Sequence, residues 1–276
     1  GIMFPVVPSG GQPPDGLPVG NDVTADPAIR KAINLAVDRQ KLVDGVLDGY
    51  GTPAYSISDG MPWSNPETAF RDGDAEGAIR LLEEAGWVDR DGDGIREKGE
   101  LKARFQLYYP AGDRVRQGLA LAVADMVRPI GIHLDTKGAS WQEIGRNMHS
   151  AAVLFGWGSH DPLEMYYVYS SRFQGQGYYN PGFYANETVD RYMELALRSR
   201  SEEEANRYWQ LAQWDGETGL SALGDAPWAW LVNVDHVYWV RDELDIGKQK
   251  IHPHGHGWPI TDNIVEWKWL ERNEGD

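Results

Sequence analysis

The chain has 276 residues, no cysteine and a formal net charge of −16, from 42 acidic against 26 basic residues. This balance argues against nucleic acid or an anionic membrane as partner, because both require clustered Lys and Arg. The lack of cysteine excludes thiolate metal sites, cysteine nucleophiles and disulfides. No apolar run approaches the roughly 20 residues of a membrane-spanning helix, so the chain is not expected to span a bilayer.

The chain begins with a segment rich in Pro and Gly, residues 1–25, which predicts an extended arm or linker without a regular element. A helix is then expected, because Asp26 is a good N-cap and Pro27 suits the first helical position. Its apolar residues follow the helical spacing.

The same criteria predict further helices and strands along the chain. The predicted helices cover residues 26–37, 41–47, 74–85, 114–127 and 187–211, the last with a break near 199–201. The predicted strands cover residues 101–107, a segment that begins at 132, and residues 151–155, 228–234 and 236–240. Mixed helices and strands in this order indicate an α/β fold.

An acidic loop follows the helix at 74–85. Asp89, Asp91 and Asp93 occupy the first, third and fifth positions of a calcium-binding loop pattern. Gly94 takes the sixth position and Glu100 the twelfth. Two features depart from the pattern, since a strand is expected after the loop and an apolar residue comes one position early. The alternative is an Asp/Gly turn with solvated charges. The sequence indicates no required cofactor. A structural calcium ion is the candidate ligand of this loop.

Three histidines near the end, His252, His254 and His256, alternate with Pro and Gly. Imidazoles at this spacing could chelate a transition metal. The Pro and Gly residues predict a loop, and no carboxylate lies within five residues. The alternative is a loop whose imidazoles bond to backbone or solvent.

Motifs for catalysis are scarce. The sequence has no nucleophile elbow, no phosphate-binding glycine loop and no paired-His helix. The 12 Trp and the abundant carboxylates leave a carbohydrate-active enzyme as one alternative function. A calcium- or nickel-responsive binding protein is another.

Four segments share an order along the chain. They are the segment 26–39, which ends in Asp38-Arg39, the segment 78–87, which ends in Ala85-Gly86-Trp87, the pairs Gly156-Trp157 and Asp161-Pro162 after an apolar strand, and Val265-Glu266-Trp267. In this order they resemble the family-5 solute-binding proteins, which include dipeptide, oligopeptide and nickel binders. The resemblance covers nearly the whole chain but only the later half of a family member.

The resemblance implies a single mixed α/β lobe of a two-lobed periplasmic-binding-protein architecture. This C-terminal lobe would cover residues 26–270, between the arm at 1–25 and a tail at 271–276. The implied function is solute capture for an ABC importer, without catalysis, the solute being a peptide, a nickel complex or a similar small molecule. The implied partners are the missing N-terminal lobe and an ABC permease, at a periplasmic or extracytoplasmic location.

The resemblance also implies a ligand site around Trp157, His160, Asp161 and Tyr166. Peptide binders of the family carry an Asp three residues after this Trp, which holds the α-ammonium of the ligand. Here His160 takes that position, and Asp161 follows it. Either Asp161 substitutes after a shortened loop, or the ligand has no free ammonium. About half of the aromatic residues in this region are expected to pack in the core.

Overall fold

The computed structural model describes residues 1–11, 16–158, 160–249 and 259–270. The α-helices in these ranges are α1 (Pro27–Ala36), α2 (Arg39–Val46), α3 (Ala75–Glu84), α4 (Arg114–Val127), α5 (Trp141–Asn147), α6 (Leu163–Tyr169), α7 (Glu187–Arg198) and α8 (Glu202–Gln213). The strands are β1 (Ile2–Met3), β2 (Gly51–Pro53), β3 (Glu97–Lys98), β4 (Leu101–Lys102), β5 (Arg104–Pro110), β6 (His133–Ala139), β7 (Ala152–Leu154), β8 (Trp228–Ala229), β9 (Val232–Val234), β10 (Leu244–Asp245) and β11 (Lys268–Trp269). None of the helices in the described ranges is both long and apolar enough to cross a bilayer.

A mixed five-stranded sheet, in the order β6-β5-β7-β1-β8, forms the centre of the fold. Strand β5 pairs in parallel with both β6 and β7. Strand β1 runs antiparallel between β7 and β8, with Ile2 opposite Leu154 and Ala229. Strands β1, β7 and β8 are buried throughout, which requires cover on both faces of the sheet.

Alternation along the central strands divides the core into two layers. Ile2 and Leu154 belong to one apolar cluster, which also takes residues from α1, α3 and α4. Met3 and Val153 point to the opposite face and belong to a second cluster, with residues from α5, α6, α7 and α8. The sheet therefore lies between two helical layers, and the predicted α/β class is confirmed.

The predicted helices at 26–37, 41–47, 74–85, 114–127 and 187–211 are confirmed as α1, α2, α3, α4 and the pair α7 and α8, which separate at 199–201. Side-chain caps account for their starts, since Asp26 accepts the Ala28 N–H at 2.9 Å. The Asp26 carboxylate also accepts the indole N–H of the buried Trp87 at 3.0 Å. Two residues of the family-like segments thus tie the end of α3 to the start of α1.

The prediction that residues 1–25 contain no regular element is wrong at Ile2–Met3. These two residues form β1, which is buried between two other strands of the central sheet. Ile2 and Met3 form a strand because they are buried between strands that are distant in sequence. Their local sequence, which lies beside Pro and Gly, carries no strand signal. The division into residues 1–25, 26–270 and 271–276 stays a prediction.

The strand predictions near the end are partly wrong. The segment 228–234 divides into β8, in the central sheet, and β9, which pairs with β2. Residues 236–240 form no strand, and Trp239 there is 93% exposed. Their alternating pattern therefore has no buried face to pack against. The segment Val265-Glu266-Trp267 lies just before a strand, β11, which pairs with β10.

Candidate functional site

The parallel strands β5, β6 and β7 end at the same edge of the central sheet. The chain then turns into α4 behind Asp113, into α5 behind Ser140, and into the Gly156-Trp157 segment. In open α/β sheets, ligands bind in the crevice outside the carboxyl ends of the strands. This edge is therefore the candidate site.

Large aromatic side chains cover this edge. The Trp141 ring stacks on Phe155 with 6.0 Å between centroids, and the Tyr178 ring meets Trp141 edge-on at 5.7 Å. The Trp157 ring stacks on Tyr179 at 6.0 Å. Trp141, Tyr178 and Tyr179 are 40–43% exposed, so their faces are only partly used by the fold. We refer to Trp141, Trp157, Tyr178 and Tyr179 as the aromatic edge.

The indole nitrogen of Trp157 is buried and has no hydrogen-bond partner among the described residues. The ring itself packs partly against the second core cluster. A buried N–H without an acceptor costs about 1–3 kcal/mol relative to a satisfied one. Trp157 therefore carries a donor that a ligand or an adjoining polypeptide could satisfy.

A cation lies beside the aromatic edge. The Arg116 guanidinium is 6.0 Å from the centre of the Trp141 ring, and its Nη1 is 2.9 Å from Asp113 Oδ2. A Cβ atom at Gly156 would lie 2.7 Å from Arg116 Nη2. Glycine at position 156 thus makes room for the guanidinium, and the edge offers both aromatic faces and hydrogen-bond donors.

The four predicted ligand residues lie in different settings. Trp157 is part of the aromatic edge, whereas Tyr166 is 8% exposed in the second core cluster. His160 and Asp161 are exposed, and the Asp161 carboxylate accepts the Leu163 N–H at 2.8 Å at the start of α6. Their roles in ligand binding stay predictions.

Sequence reasoning missed Trp141, Tyr178, Tyr179 and Arg116. A signal existed for Trp141, because Ser140 and Glu143 have capping-box spacing directly after a predicted strand. The Ser140 hydroxyl does accept the Glu143 N–H, at 3.2 Å.

The acidic loop brings four carboxylates together. One ligand atom from each of Asp89, Asp91, Asp93 and Glu97 lies within 4.8 Å of the others. The predicted twelfth ligand, Glu100, is outside this group. It lies in the two-residue turn between β3 and β4, because a hairpin and not a helix follows the loop. Glu97, the first residue of β3, contributes the fourth carboxylate.

The ammonium group of Lys102 lies among these carboxylates. Its Nζ is 2.9 Å from Asp91 Oδ2, 2.6 Å from Asp93 Oδ2 and 3.4 Å from Glu97 Oε1. Hydrogen bonds from Lys102 hold the pKa of Asp91 below its usual range, and the same contacts raise the pKa of Lys102. The other proposed metal ligands, His252, His254 and His256, lie outside the described residues.

Comparison with known proteins identifies the family. The sequence model of "Bacterial extracellular solute-binding proteins, family 5 Middle" matches residues 15–179. The chain therefore belongs to the family-5 bacterial extracellular solute-binding proteins, and the resemblance noted from the sequence is confirmed.

Several relatives are similar over most of this chain. Protein XP55 of Streptomyces lividans is 38% identical over 83% of this chain and 41% of its own length. The oligopeptide-binding protein AppA of Bacillus subtilis is 28% identical over 91% of this chain and 45% of its own length. The chain thus spans less than half the length of these curated relatives.

Solved structures share the fold over a similar span. AppA of Bacillus subtilis in complex with a nonapeptide matches with a TM-score of 0.73 and 25% identity, over 91% of this chain and 49% of that chain. NikZ from Campylobacter jejuni in complex with Ni(L-His) matches with a TM-score of 0.75 and 23% identity, over 96% of this chain and 50% of that chain.

Proposed function

We propose that this chain is one lobe of an extracytoplasmic solute-binding protein that captures a small solute for an ABC importer and performs no catalysis. Two findings support this function. The chain belongs to the family, and it matches about half the length of binding proteins that were solved with a ligand. The proposed location is the periplasm or its extracytoplasmic equivalent. The proposed partners are a second lobe and an ABC permease.

The aromatic edge is the observation that carries this proposal. Three of its rings are 40–43% exposed at the carboxyl ends of parallel strands, and the Trp157 N–H has no acceptor among the described residues. Tyr and Trp provide large contact areas at small entropic cost. Small-solute sites bury most of the ligand surface. An open edge of this kind suits a binding site that is completed when a second lobe closes over the ligand.

A peptide-like solute fits the chemistry of this edge. Aromatic faces can hold apolar side chains, while Arg116 and the Trp157 N–H can bond to carboxylate or carbonyl oxygens. AppA was solved with a nonapeptide and NikZ with Ni(L-His), and both kinds of solute carry such oxygens. We therefore propose a peptide or a metal–amino acid complex as the solute of this chain.

The alternative of a carbohydrate-active enzyme has less support at this edge. Glycoside hydrolysis uses two carboxyl groups on opposite sides of the scissile bond. Asp113 is paired with Arg116, and Asp161 accepts a backbone N–H in its own turn. Both carboxylates thus have structural partners, which supports binding in preference to hydrolysis.

Native mass spectrometry of the full-length protein tests the proposal. We expect a small molecule to co-purify in a one-to-one complex and to be released unchanged on denaturation. Recovery of a cleaved product after incubation with that molecule would contradict the proposed absence of catalysis.

Calorimetry of full-length variants with the released solute tests the site. Trp157→Ala should weaken binding by more than about 1 kcal/mol, since a central aromatic contact is lost. Trp157→Phe should lose less, because it keeps an aromatic ring for stacking while it removes the N–H and part of the ring area. Asp161→Asn should weaken cationic solutes selectively if Asp161 holds an ammonium group.

Leu197→Ala is the control for these variants, because Leu197 is an exposed apolar residue on α7. It should leave the affinity unchanged. Unchanged affinity in the Trp157 and Asp161 variants, with folding intact, would place the site elsewhere.

A further inference from the structure

The two tyrosines of the aromatic edge lie on one short loop, residues 174–184. The Tyr178 ring meets Trp141 edge-on at 5.7 Å between centroids, and the Tyr179 ring stacks on Trp157 at 6.0 Å. Both tyrosines are 40–42% exposed, so contacts between rings hold them only in part. Surface loops are usually more mobile than the elements that they connect. The position of the two rings therefore depends on how firmly the backbone of this loop is held.

Asn180, directly after these tyrosines, is the buried anchor of the loop. It is only 2% exposed. Its Nδ2 group donates to the carbonyls of Ser170 and Tyr184 at 2.9 and 2.8 Å, and its Oδ1 accepts the Tyr184 N–H at 2.9 Å. Its backbone carbonyl accepts the Gly175 N–H at 3.2 Å. One residue thus joins the end of α6 to both halves of the loop.

The backbone of the loop is left-handed at two residues other than glycine. The φ angle is +35° at Asn180 and +61° at Phe183. Asn adopts this region more readily than most residues, whereas a bulky residue such as Phe does so rarely. Such conformations persist only where surrounding contacts fix them, and they are frequent at ligand-binding sites. At Phe183 these contacts are a hydrogen bond from Gln174 Nε2 to its carbonyl, at 2.9 Å, and the ring of His149, at 5.3 Å between centroids.

The base of the loop lies against the segment that follows β1. A Cβ atom at Gly182 would overlap the carbonyl oxygen of Phe4, so the two backbones are in direct contact. The Val6 N–H donates to the Gly182 carbonyl at 2.9 Å. Because β1 lies within the central sheet, these contacts fix the base of the loop relative to the sheet.

We infer that Asn180 is a positioning residue of the aromatic edge: its buried amide fixes the loop so that Tyr178 and Tyr179 lie beside Trp141 and Trp157 before a solute arrives. The importance of this role for binding rests on the proposed function. A surface that is ordered in advance avoids the entropic cost of ordering two rings on binding. Asn180 acts through the loop, since its amide is used by backbone groups and is turned away from solvent.

Fluorine NMR of the full-length protein labelled with fluorotyrosine tests the positioning without any solute. Tyr178→Phe and Tyr179→Phe assign the two resonances, which the neighbouring Trp rings should displace from their position in the unfolded protein. Asn180→Gly removes the hydrogen bonds of the side chain but tolerates a positive φ. We expect both resonances to lose most of their displacement in this variant, because the loop becomes mobile.

Asn180→Asp is a second variant that covers the case in which Asn180→Gly does not fold. It keeps the Oδ1 acceptor for the Tyr184 N–H and the tolerance of a positive φ, and it removes only the two donors. The two resonances should move in the same direction by a smaller amount.

Asn65→Gly is the matched control. Asn65 is also buried, and its amide donates to the carbonyls of Gln210 and Trp214, both at 2.9 Å and outside the loop. This variant should lose stability in urea as Asn180→Gly does, while the Tyr178 and Tyr179 resonances stay in place. The comparison separates positioning of the rings from a general loss of stability.

Calorimetry gives a second readout, with the small molecule that native mass spectrometry recovers from the full-length protein as the probe. Asn180→Gly should weaken binding roughly tenfold, since two rings must then be ordered on binding. Asn65→Gly should leave the affinity within about twofold, because its contacts are separate from the edge.

The two readouts have different consequences. Unmoved tyrosine resonances in Asn180→Gly, or an equal loss of displacement in Asn65→Gly, would overturn the inference. Displaced resonances with unchanged affinity would support the positioning role of Asn180 and contradict the proposed location of the solute site. Displaced resonances with weakened affinity would support both.

Discussion

Arg39 shows how one side chain can organise a fold. Its guanidinium is wholly buried, pairs with Asp72 Oδ2 at 3.2 Å and lies 5.0 Å from the centres of two aromatic rings. Its Nε atom donates to the carbonyls of Ala54 and Trp230, so it joins the start of α2 to a segment beyond β8. A planar group with five donors can satisfy these acceptors together, which a lysine cannot.

Replacing Arg39 with Met should therefore destabilise the chain strongly. The change leaves Asp72 without its buried partner and removes the hydrogen bonds to the carbonyls of Ala54, Trp230 and Asn34, at a cost of about 3–5 kcal/mol. Urea denaturation followed by Trp fluorescence would measure this cost. Arg80→Met is the control, because its pairing with Glu76 at 3.9 Å is exposed and should contribute at most about 0.5 kcal/mol. Equal stability of the two variants would contradict the role of Arg39.

Single residues of the candidate sites were predictable only in part. The spacing of Asp89, Asp91 and Asp93 indicated a shared position, and the structure brings them together. Glu100 is the twelfth residue of a loop pattern that a helix normally follows. A hairpin follows instead, so the nearby carboxylate is Glu97 and the nearby cation is Lys102. Cross-strand neighbours of this kind depend on register, which no local spacing reveals.

At the level of elements, helices were easier to predict than strands. The predicted bounds of α4 match the structure because its signals are local, with the Asp113 carboxylate accepting the Arg116 N–H at 2.9 Å. Strand β1 has no such signal, since its two residues are held by partners at Leu154 and Ala229. Residues 236–240 show the opposite case. Their alternating pattern predicts a strand, but the residues are exposed and form none.

The packing of α2 against α4 gives a prediction at this scale. A Cβ atom at Gly118 would lie 2.8 Å from Val46 Cγ1, and Val side chains are stiff at χ1. Gly118→Ala should therefore not give the gain of about 1 kcal/mol expected from helix propensity, because strain of about 1–3 kcal/mol opposes it. In a Val46→Ala background the same change should stabilise the chain by about 1 kcal/mol.

A double-mutant cycle from urea denaturation of the four proteins would measure this coupling. Additive effects of the two substitutions would show that α2 and α4 do not constrain each other at this contact.

At the level of the whole molecule, the chain has an apolar core on each face of its central sheet and a largely exposed segment after β9. Both apolar clusters close within the chain. The segment after β9 behaves differently, since Trp239 and Val265 are 92–93% exposed and Trp269 is 68% exposed. The relatives are about twice as long.

The isolated chain should therefore bind the solute of the full-length protein at least about a hundredfold more weakly. A closed site buries roughly 70–90% of a small ligand, and one lobe supplies only part of that contact. Calorimetry of both proteins with the same solute measures the difference. Comparable affinities would show that the site is complete within this chain.

The position of β1 also dictates an order of events during synthesis. Ile2–Met3 leave the ribosome well before their partners at Leu154 and Ala229. At roughly 5–20 residues per second, the wait for Ala229 is on the order of ten seconds or more. The nascent chain can assemble β5, β6 and β7 in the meantime, but β7 then presents an open strand edge. Insertion of β1 and arrival of β8 close that edge, so a chain arrested before Trp228 would expose a strand able to pair with a neighbouring nascent chain.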